Sequence, residues 1–227
     1  MTRGLFISFE GIDGAGKSSH IEGLAALFRD QGRQVTLTRE PGGTPLSEKL
    51  RALVLHEPMD PLTEALLMFA ARQEHIVQVI KPALTRGDVL LCDRFTDATF
   101  AYQGGGRGFD WQVLENLENM VQKRSALNDN SLLQPDLTVW FDLPPSVAAE
   151  RVVQARIPDK FEAQPLAFFE NVRNGYARRC AQNPGRFAQI NANQNREGVW
   201  LEVENAVIVT IVCDRGDRYL STGVFPA

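Results

Sequence analysis

Cysteine is scarce in this sequence, and no apolar run is long enough to cross a bilayer. The three cysteines among 227 residues, Cys92, Cys180 and Cys213, are widely separated and form no C-x-x-C pair. Such a sparse, odd set argues against a disulfide framework or a cysteine-ligated zinc site and favours reduced thiols. No apolar segment approaches the roughly 18 residues of a membrane span. The first expected strand, residues 5–9, follows the N-terminus directly, and no signal-peptide pattern precedes it. We therefore expect a cytoplasmic protein that does not contact membranes.

A basic excess is also missing. The 24 Lys and Arg residues against 28 Asp and Glu residues give a formal net charge of −4 and a pI of about 5.5. Nucleic-acid-binding domains carry a basic face, so we expect no nucleic-acid partner. The length and the 44% hydrophobic content are those of a globular protein with a sizeable core.

Short apolar runs alternate with segments of helical periodicity. The expected strands are residues 5–9, 35–38, 88–92, 137–141 and 187–191. The expected helices are residues 17–31, 45–56, 62–86, 111–124, 145–155 and 164–182. This alternation predicts an α/β fold in which helices cover both faces of a five-stranded parallel sheet. Ligands of such sheets bind beyond the carboxyl ends of the strands, so turns 10–18, 39–44 and 93–108 are expected to converge there.

One glycine-rich segment has the spacing of a phosphate-binding loop, or P-loop. Residues 11–18 read G-x-x-x-x-G-K-S between the first expected strand and the first expected helix. The glycines let several backbone N–H groups face one anion, and the helix N-terminus adds partial positive charge. Lys17 is expected to reach the β- and γ-phosphates, and the Ser18 hydroxyl to bind Mg²⁺. The predicted ATP-binding residues are Gly11, Ile12, Asp13, Gly14, Ala15, Gly16, Lys17, Ser18 and Ser19.

Polar residues also follow the second and third expected strands. Residues 39–44, which begin with Arg39, follow the second strand, and Asp93 and Arg94 follow the third. Guanidinium groups match phosphate oxygens, so a second phosphate beside the first is expected. Asp93 after a hydrophobic run has the Walker-B pattern of a Mg²⁺ ligand, and Asp142 is a weaker candidate. An isolated Asp-Arg pair is more commonly a structural ion pair, and only the nearby P-loop favours binding.

Three further features have two interpretations each. Arg72 lies on the apolar stripe of helix 62–86, where a buried guanidinium needs a partner such as a planar polar ligand. Residues 104–108 form either a flexible turn or a close approach of the backbone to substrate. Residues 150–163 form either a solvated helix end or a lid that closes cations over a phosphate. The cations of this segment that we single out are Arg151, Arg156 and Lys160.

Together these motifs resemble the bacterial thymidylate kinase family. The matching segments are residues 9–18, 38–44, 93–95, 101–108, 135–138 and 159–162, within a match from about 3 to about 205. The resemblance implies a three-layer P-loop fold of the nucleoside monophosphate kinase type. It also implies transfer of the γ-phosphoryl group of ATP to dTMP with Mg²⁺, and a homodimer.

The same resemblance implies roles for individual residues. The catalytic residues would be Lys17, Arg94 and a lid arginine, either Arg151 or Arg156, and the metal ligands would be Ser18 and Asp93. Phe69, rather than Met68, would form the wall beside the thymine ring. Lys160 stands where an arginine is common. The implied substrate-binding residues are Asp13, Arg39, Phe69, Arg72, Arg94, Thr99, Tyr102 and Gln103.

The C-terminal residues depart from the family pattern. Residues 1–205 are expected to form the kinase domain, closing with a helix near 196–205, and residues 206–227 an atypical tail. The tail resembles the C-terminal end of cysteine synthase over about twenty residues, too few to imply that activity. Its run 207–212 is β-branched, so we expect either a dispensable segment or an added edge strand beside 187–191.

Two other function classes compete with the kinase interpretation. One is a P-loop kinase for a different nucleotide or small metabolite, which Arg72, Arg94 and Tyr102 disfavour because they suit a pyrimidine nucleotide. The other is a binding protein, either a GTP-type switch or an inactive relative. Guanine-selective switches usually carry N-K-x-D, which does not occur here, and an inactive relative would be expected to lack Lys17 or Arg94.

Overall fold

A five-stranded parallel sheet forms the centre of the chain. The structure is a computed structural model that describes residues 3–123, 131–152, 160–161 and 164–212. The strands are β1 Leu5–Glu10, β2 Val35–Arg39, β3 Val89–Asp93, β4 Leu137–Asp142 and β5 Phe187–Asn191. They lie in the order β2-β3-β1-β4-β5, and every neighbouring pair is parallel. The predicted fold class is confirmed, and each predicted strand agrees with the observed one to within one residue at either end.

Helices connect these strands. They are α1 Lys17–Asp30, α2 Pro45–His56, α3 Pro61–His75, α4 Lys81–Arg86, α5 Thr96–Thr99, α6 Trp111–Gln122, α7 Pro145–Val152, α8 Leu166–Gln182 and α9 Arg196–Val212. Two π-helical turns, Ile76–Ile80 and Phe100–Gly106, continue α3 into α4 and extend α5. In the described residues, no helix is both long enough and apolar enough to cross a membrane.

Both faces of the sheet are covered, because alternate residues of β1 enter different apolar clusters. Ile7 and Phe9 pack in the cluster that contains Leu24 of α1. Phe6, on the opposite face, packs with Ile80 near the start of α4. The side chains of a strand alternate between the two faces of a sheet, so a strand that is buried throughout needs helices on both sides.

The register of the central strands aligns their carboxyl ends. Asp93 of β3 is the register partner of Phe9 in β1. The backbone N–H of Arg94 donates to the Phe9 carbonyl over 2.9 Å, and the N–H of Glu40 donates to the Asp93 carbonyl over 3.0 Å. Glu10 at the end of β1, Arg94 after β3 and Glu40 after β2 therefore lie at the carboxyl ends of three neighbouring strands.

The segment after β3 is helical, although the sequence favoured a turn over 93–108. Its π-helical part packs directly against α8. A Cβ atom on Gly105 would lie 2.5 Å from the carbonyl oxygen of Asn171 and 3.2 Å from Cα of Gly175. Gly105 thus permits close contact between two helical segments. The glycine-rich stretch was expected to be a flexible turn or a surface that substrate approaches. Gly105 has neither role, because it lies against α8.

The last helix extends beyond the expected end of the kinase domain. The expected helix stops at residue 205, whereas α9 continues to Val212. The alternative of an edge strand over 207–212 is wrong, because these residues are helical. Val203 and Val207 are both buried in the main apolar cluster, one turn apart on the same helix face. Tertiary burial therefore outweighs the weak helix propensity of a β-branched run.

Truncation after Asn205 should destabilise the chain, contrary to the expectation that it would be harmless. Removing Val207 exposes apolar surface of Val203 and shortens α9, so we expect the free energy of unfolding to fall by about 1–3 kcal/mol. Chemical denaturation of chains ending at Asn205 and at Val212 isolates the contribution of residues 206–212. Equal stability of the two chains would show that Val207 contributes nothing to the core.

Candidate active site

The loop between β1 and α1 has the backbone shape of an anion-binding site. Gly11, Gly14 and Gly16 have φ angles of 133°, 81° and 84°. Residues with a side chain rarely adopt positive φ angles, so these three positions of the motif need glycine. Gly16 immediately precedes α1, whose first N–H groups have no partner within the helix. The predicted ATP-binding residues 11–19 therefore lie together around one helix N-terminus.

Lys17 is buried within this loop. Its Nζ donates to the carbonyl oxygens of Gly11 over 3.1 Å and Ile12 over 3.3 Å. Burial lowers the pKa of Lys17 and the Arg94 cation lowers it further, while the Asp93 carboxylate opposes the shift. An ammonium group removed from water interacts strongly with an anion, so this position favours binding of a phosphate.

A cavity beside the loop, here called the metal-side cavity, contains both predicted metal ligands. Oδ1 of Asp93 is buried and has no hydrogen-bond partner among the residues that the structure describes. A carboxylate oxygen and the Ser18 hydroxyl fit a hard cation whose other positions are filled by phosphate and water. The cavity is lined by Ser18, Ile21, Glu22, Leu37, Thr38, Arg39, Gly43, Glu48, Val79 and Asp93.

Protein ligands alone do not complete a metal site. Within the described ranges there is no group of three or more His, Cys, Asp and Glu side chains that could hold a metal ion. Asp142, the weaker metal candidate, is bound by Arg173 Nη2 and Gln189 Nε2, each at 2.9 Å. Its carboxylate is therefore part of a structural cluster at the end of β4.

Arg39 occupies the metal-side cavity. Its Nη2 donates to Oε2 of Glu48 over 3.0 Å, and both side chains are exposed. The resemblance implied a position near the dTMP phosphate, but Arg39 does not line the cavity that contains Arg94.

A second cavity, here called the acceptor cavity, contains most of the predicted substrate residues. It adjoins the P-loop through Asp13, which contributes to both. Apolar side chains form part of the wall and charged groups converge on the interior, as in many sites for small polar ligands. The cavity is lined by Asp13, Glu40, Pro41, Arg51, Leu55, Met68, Arg72, Arg94, Phe95, Ala98, Tyr102, Gln103 and Phe161.

Arg72 is held in the acceptor cavity by a buried ion pair. Its Nε donates to Oε2 of Glu40 over 2.8 Å, and its Nη2 donates to the Thr99 hydroxyl over 2.8 Å. The other oxygen of Glu40 lies 2.9 Å from Nδ1 of His75. A buried Arg72 was expected to need a partner, such as a planar polar ligand, and the partner that balances its charge in the structure is Glu40. Of the Arg72 nitrogens, only Nη1 is buried without a partner among the described residues.

Gln103 presents a complementary group to the same cavity. Its Nε2 donates to Oε1 of Glu64 over 2.9 Å, which fixes the amide. Its Oε1 is buried and has no partner within the described residues. The cavity thus combines an unpaired donor on Arg72 with an unpaired acceptor on Gln103.

Met68, rather than Phe69, lines the acceptor cavity. The Phe69 ring packs beneath Arg72, whose guanidinium carbon lies 4.7 Å from the ring centroid. Phe69 is buried with Phe100 and Leu114 on the far side of α3. The choice of Phe69 as the wall of the cavity is thus replaced by Met68, and Phe69 supports Arg72 from behind.

Thr99 does not line the acceptor cavity either. It is fully buried and accepts a hydrogen bond from Arg72. The structure therefore gives Thr99 a supporting contact to Arg72 instead of a place on the cavity wall.

Arg94 lies between the acceptor cavity and the P-loop. Its Nη2 donates to Oδ1 of Asp13 over 2.9 Å, and its Nη1 donates to the Tyr176 hydroxyl over 3.2 Å. Its guanidinium carbon lies 5.0 Å from the Tyr102 ring centroid. The Tyr102 hydroxyl in turn donates to Oδ2 of Asp13 over 3.4 Å. Four side chains thus hold each other at the junction of the two sites.

The expected lid is described only in part. Arg156 lies outside the described residues. Arg151, near the end of α7, donates to the carbonyl oxygens of Gly14 and Ala192, each over 3.4 Å. This contact places an exposed cation beside the P-loop.

The other described part of the lid contacts the acceptor cavity. Nζ of Lys160 lies 2.9 Å from Oε2 of the buried Glu64 and donates to the Glu57 carbonyl over 3.0 Å. The Phe161 ring meets the Tyr102 ring edge to face at 5.9 Å. Lys160 therefore joins this part of the expected lid to Glu64 of α3, and its position in the sequence did not indicate this contact.

No role was predicted for four residues that hold side chains of the site: Glu10, Glu40, Glu64 and Tyr176. Glu10 ends β1 and Glu40 follows β2, and their only sequence signal is their place in the matching segments 9–18 and 38–44. Glu64 and Tyr176 lie on helices among residues of similar spacing, so periodicity does not separate them from ordinary core positions.

The comparisons with known proteins agree with this geometry. The model of the thymidylate kinase family matches residues 9–203. The thymidylate kinase of Albidiferax ferrireducens is 64% identical over 206 residues, which are 91% of this chain and 96% of that protein. The thymidylate kinase of Polaromonas sp. is 62% identical over 217 residues, covering 90% and 96% of the two chains. The resemblance of residues 206–227 to cysteine synthase is not supported by these matches.

A solved structure gives the same result. The crystal structure of thymidylate kinase from Ehrlichia chaffeensis superimposes with a TM-score of 0.72 at 33% identity, covering 90% of this chain and 99% of that chain. The matched part of the sequence contains the P-loop, the acceptor cavity and the residues that join them. The chain therefore belongs to the thymidylate kinase family.

Proposed function

We propose that this chain transfers the γ-phosphoryl group of ATP to dTMP, giving dTDP and ADP. The observation that carries the proposal is the direct contact between its two anion sites. Asp13 of the P-loop accepts a hydrogen bond from Arg94 of the acceptor cavity. A phosphate on the P-loop and a phosphate on Arg94 would therefore be neighbours, as a phosphoryl transfer between two nucleotides requires.

The unpaired groups of the acceptor cavity favour thymine over cytosine. Thymine presents the O4 acceptor where cytosine presents an N4 amino donor. Nη1 of Arg72 can donate to O4, and Oε1 of Gln103 can accept from N3–H of thymine. Cytosine would place its amino group against the Arg72 cation, leaving two buried donors unpaired. Met68 supplies an apolar surface beside the ring.

The reaction needs no general base from the protein. The attacking atom is a phosphate oxygen that is already ionised near neutral pH. The chain is left to orient two phosphates and to offset their charge. Lys17 and the N–H groups of residues 11–19 would hold the donor phosphates, and Arg94 would hold the acceptor phosphate.

Mg²⁺ fits the metal-side cavity through Ser18 and the unpaired oxygen of Asp93. When bound with ATP, it supplies positive charge to the β- and γ-phosphate oxygens. A further cation would come from the lid, from Arg151 or Arg156. The contact between Arg151 and the Gly14 carbonyl supports Arg151, because it places this guanidinium beside the phosphate loop.

We also propose that the active protein is a homodimer, and that its kinase domain of residues 1–205, with a lid at about 150–163, is completed by the end of α9, where Val207 packs in the core. Support for the dimer comes from apolar side chains exposed at helical spacing on α2 and α3. The exposed fractions of Leu53 and Leu66 are 46% and 47%. Leu46, Leu62 and Val77, which are likewise exposed, continue the two rows.

Substrate choice tests the proposed activity. In a coupled ADP-release assay over a panel of nucleoside monophosphates, we expect dTMP to give the highest kcat/KM. We expect dCMP to be at least about tenfold poorer, because each of the two mispaired buried donors costs about 1–3 kcal/mol. A preference for dCMP, or for a purine nucleotide, would contradict the assignment of Arg72 and Gln103.

Replacement of Lys17 and replacement of Arg94 should affect different kinetic constants. Lys17→Ala is expected to reduce kcat at least tenfold, because the ammonium offsets charge on the transferring phosphoryl group. Arg94→Ala is expected to raise KM for dTMP about 10–100-fold and KM for ATP much less, because a lost charge-assisted contact costs about 1.5–3 kcal/mol. Lys81→Ala, on the exposed start of α4, serves as the control. Equal damage to both Michaelis constants by Arg94→Ala would place Arg94 with the donor or the fold.

The molecular mass in solution tests the proposed dimer. The double variant Leu53→Lys, Leu66→Lys is expected to elute as a monomer in size-exclusion chromatography with light scattering, since charges on an apolar interface oppose association. Leu201→Lys, on α9, changes a more exposed leucine elsewhere and should leave the mass unchanged. A monomeric unaltered chain at micromolar concentration would refute the proposed dimer.

A further inference from the structure

The backbone of Arg94 is held in a conformation that it would not choose alone. Its φ angle is 67°, and it has the only positive φ among the described residues other than glycine. This left-handed conformation costs roughly 1–2 kcal/mol for a residue with a side chain. It persists only if the surroundings fix the peptide groups on both sides. The N–H of Arg94 donates to the Phe9 carbonyl over 2.9 Å, and the Cys92 thiol donates to the Arg94 carbonyl over 2.9 Å.

Glu10 supplies the next fixed point along the chain. It is the last residue of β1 and is fully buried. Its Oε1 accepts from the backbone N–H of Phe95 over 2.7 Å. Since Phe95 follows Arg94 directly, this bond orients the peptide group between them. Glu10 therefore acts on the backbone from which the Arg94 side chain departs.

The second oxygen of Glu10 acts on the Arg94 side chain. Oε2 accepts from the Tyr176 hydroxyl over 3.0 Å. The same hydroxyl oxygen accepts from Nη1 of Arg94 over 3.2 Å. Because Tyr176 donates its single proton to Glu10, the lone pairs of its oxygen remain available to Arg94.

We propose that Glu10 is a positioning residue for the acceptor phosphate, which holds Arg94 through Phe95 on the backbone side and through Tyr176 on the side-chain side. This inference rests on the proposed function, in which Arg94 binds the phosphate of dTMP. The one carboxylate would fix both the origin and the direction of the guanidinium. A phosphate would then meet a cation that has already lost its rotamer freedom, which lowers the entropic cost of binding.

The burial of Glu10 makes a purely structural role expensive. Burial raises the pKa of Glu10 to about 8, the Asp97 carboxylate raises it too, and the Arg94 cation lowers it. An apolar side chain at this position would avoid the cost of taking a carboxylate out of water. An apolar residue would not supply two acceptors in fixed positions, one for Phe95 N–H and one for Tyr176. Both acceptors are present on the ionised carboxylate, which the Arg94 cation favours.

A double-mutant cycle with Arg94 tests the proposal. The dissociation constant of dTMP is measured by calorimetry for the unaltered chain, Glu10→Gln, Arg94→Ala and the double variant, at about pH 8.5, where the ionised form of Glu10 predominates. Glutamine keeps one acceptor but turns an amide donor toward Tyr176. We expect Glu10→Gln to weaken dTMP binding about tenfold in the unaltered background and less than about twofold in the Arg94→Ala background.

Two controls separate positioning from damage to the fold. Glu118→Gln alters another buried carboxylate, which pairs with Arg179 at 2.8 Å, and should lower the melting temperature without changing dTMP affinity. If Glu10→Gln does not fold, Tyr176→Phe breaks only the hydroxyl bridge. We then expect a loss of about threefold that disappears in the Arg94→Ala background.

An equal loss of affinity in both backgrounds would show that Glu10 does not act through Arg94 and would overturn the inference. So would unchanged dTMP affinity in Glu10→Gln. Failure of the unaltered chain to bind dTMP would instead contradict the proposed function.

Discussion

The parallel register of β1, β3 and β2 is the constraint on which the site depends. Phe9 pairs with Asp93, and Asp93 pairs with Arg39. One residue further along, the three strands deliver Glu10, Arg94 and Glu40 to the same edge. A shift of one residue would turn each of these side chains to the opposite face. The apolar side chains of β1 and β3 fix this register, because they fill clusters on both faces of the sheet.

Two buried carboxylates then organise two of the three arginines that line the acceptor cavity. Glu40 pairs directly with Arg72, whereas Glu10 reaches Arg94 through Tyr176. Breaking a buried pair by removing one partner typically costs about 3–5 kcal/mol, because it leaves an uncompensated charge. Such contacts add little net stability but permit few alternative arrangements. Both arginines consequently face the cavity in defined directions before a ligand arrives.

The parts of the site that sequence could predict are those built from local geometry. The P-loop needs glycines and a following helix, and both can be recognised within residues 5–28. Asp93 and Arg94 were predicted because they follow an apolar run. The choice between Met68 and Phe69 could not be made this way, since each lies one helical turn from Arg72. Packing of Phe69 on Phe100 and Leu114 decides it, and those contacts are distant in sequence.

Other features depended on tertiary contacts in the same way. The β-branched run after residue 206 suggested a strand or a loose tail, but Val207 is buried beside Val203 and the segment is helical. The glycines at 104–106 suggested flexibility, but Gly105 lies against α8. Glu10 and Tyr176 are 166 positions apart, so no sequence window contains both members of the pair that holds Arg94.

The central claim is that Arg94, held by its surroundings, receives the phosphate of dTMP beside the P-loop. A crystal structure of the chain with dTMP and a non-hydrolysable ATP analogue tests it most directly. We predict that the dTMP phosphate lies within hydrogen-bond distance of the Arg94 guanidinium, with a positive φ retained at Arg94 and the thymine edge at Nη1 of Arg72. A dTMP phosphate bound away from Arg94, or an Arg94 backbone that leaves the left-handed region, would contradict the account.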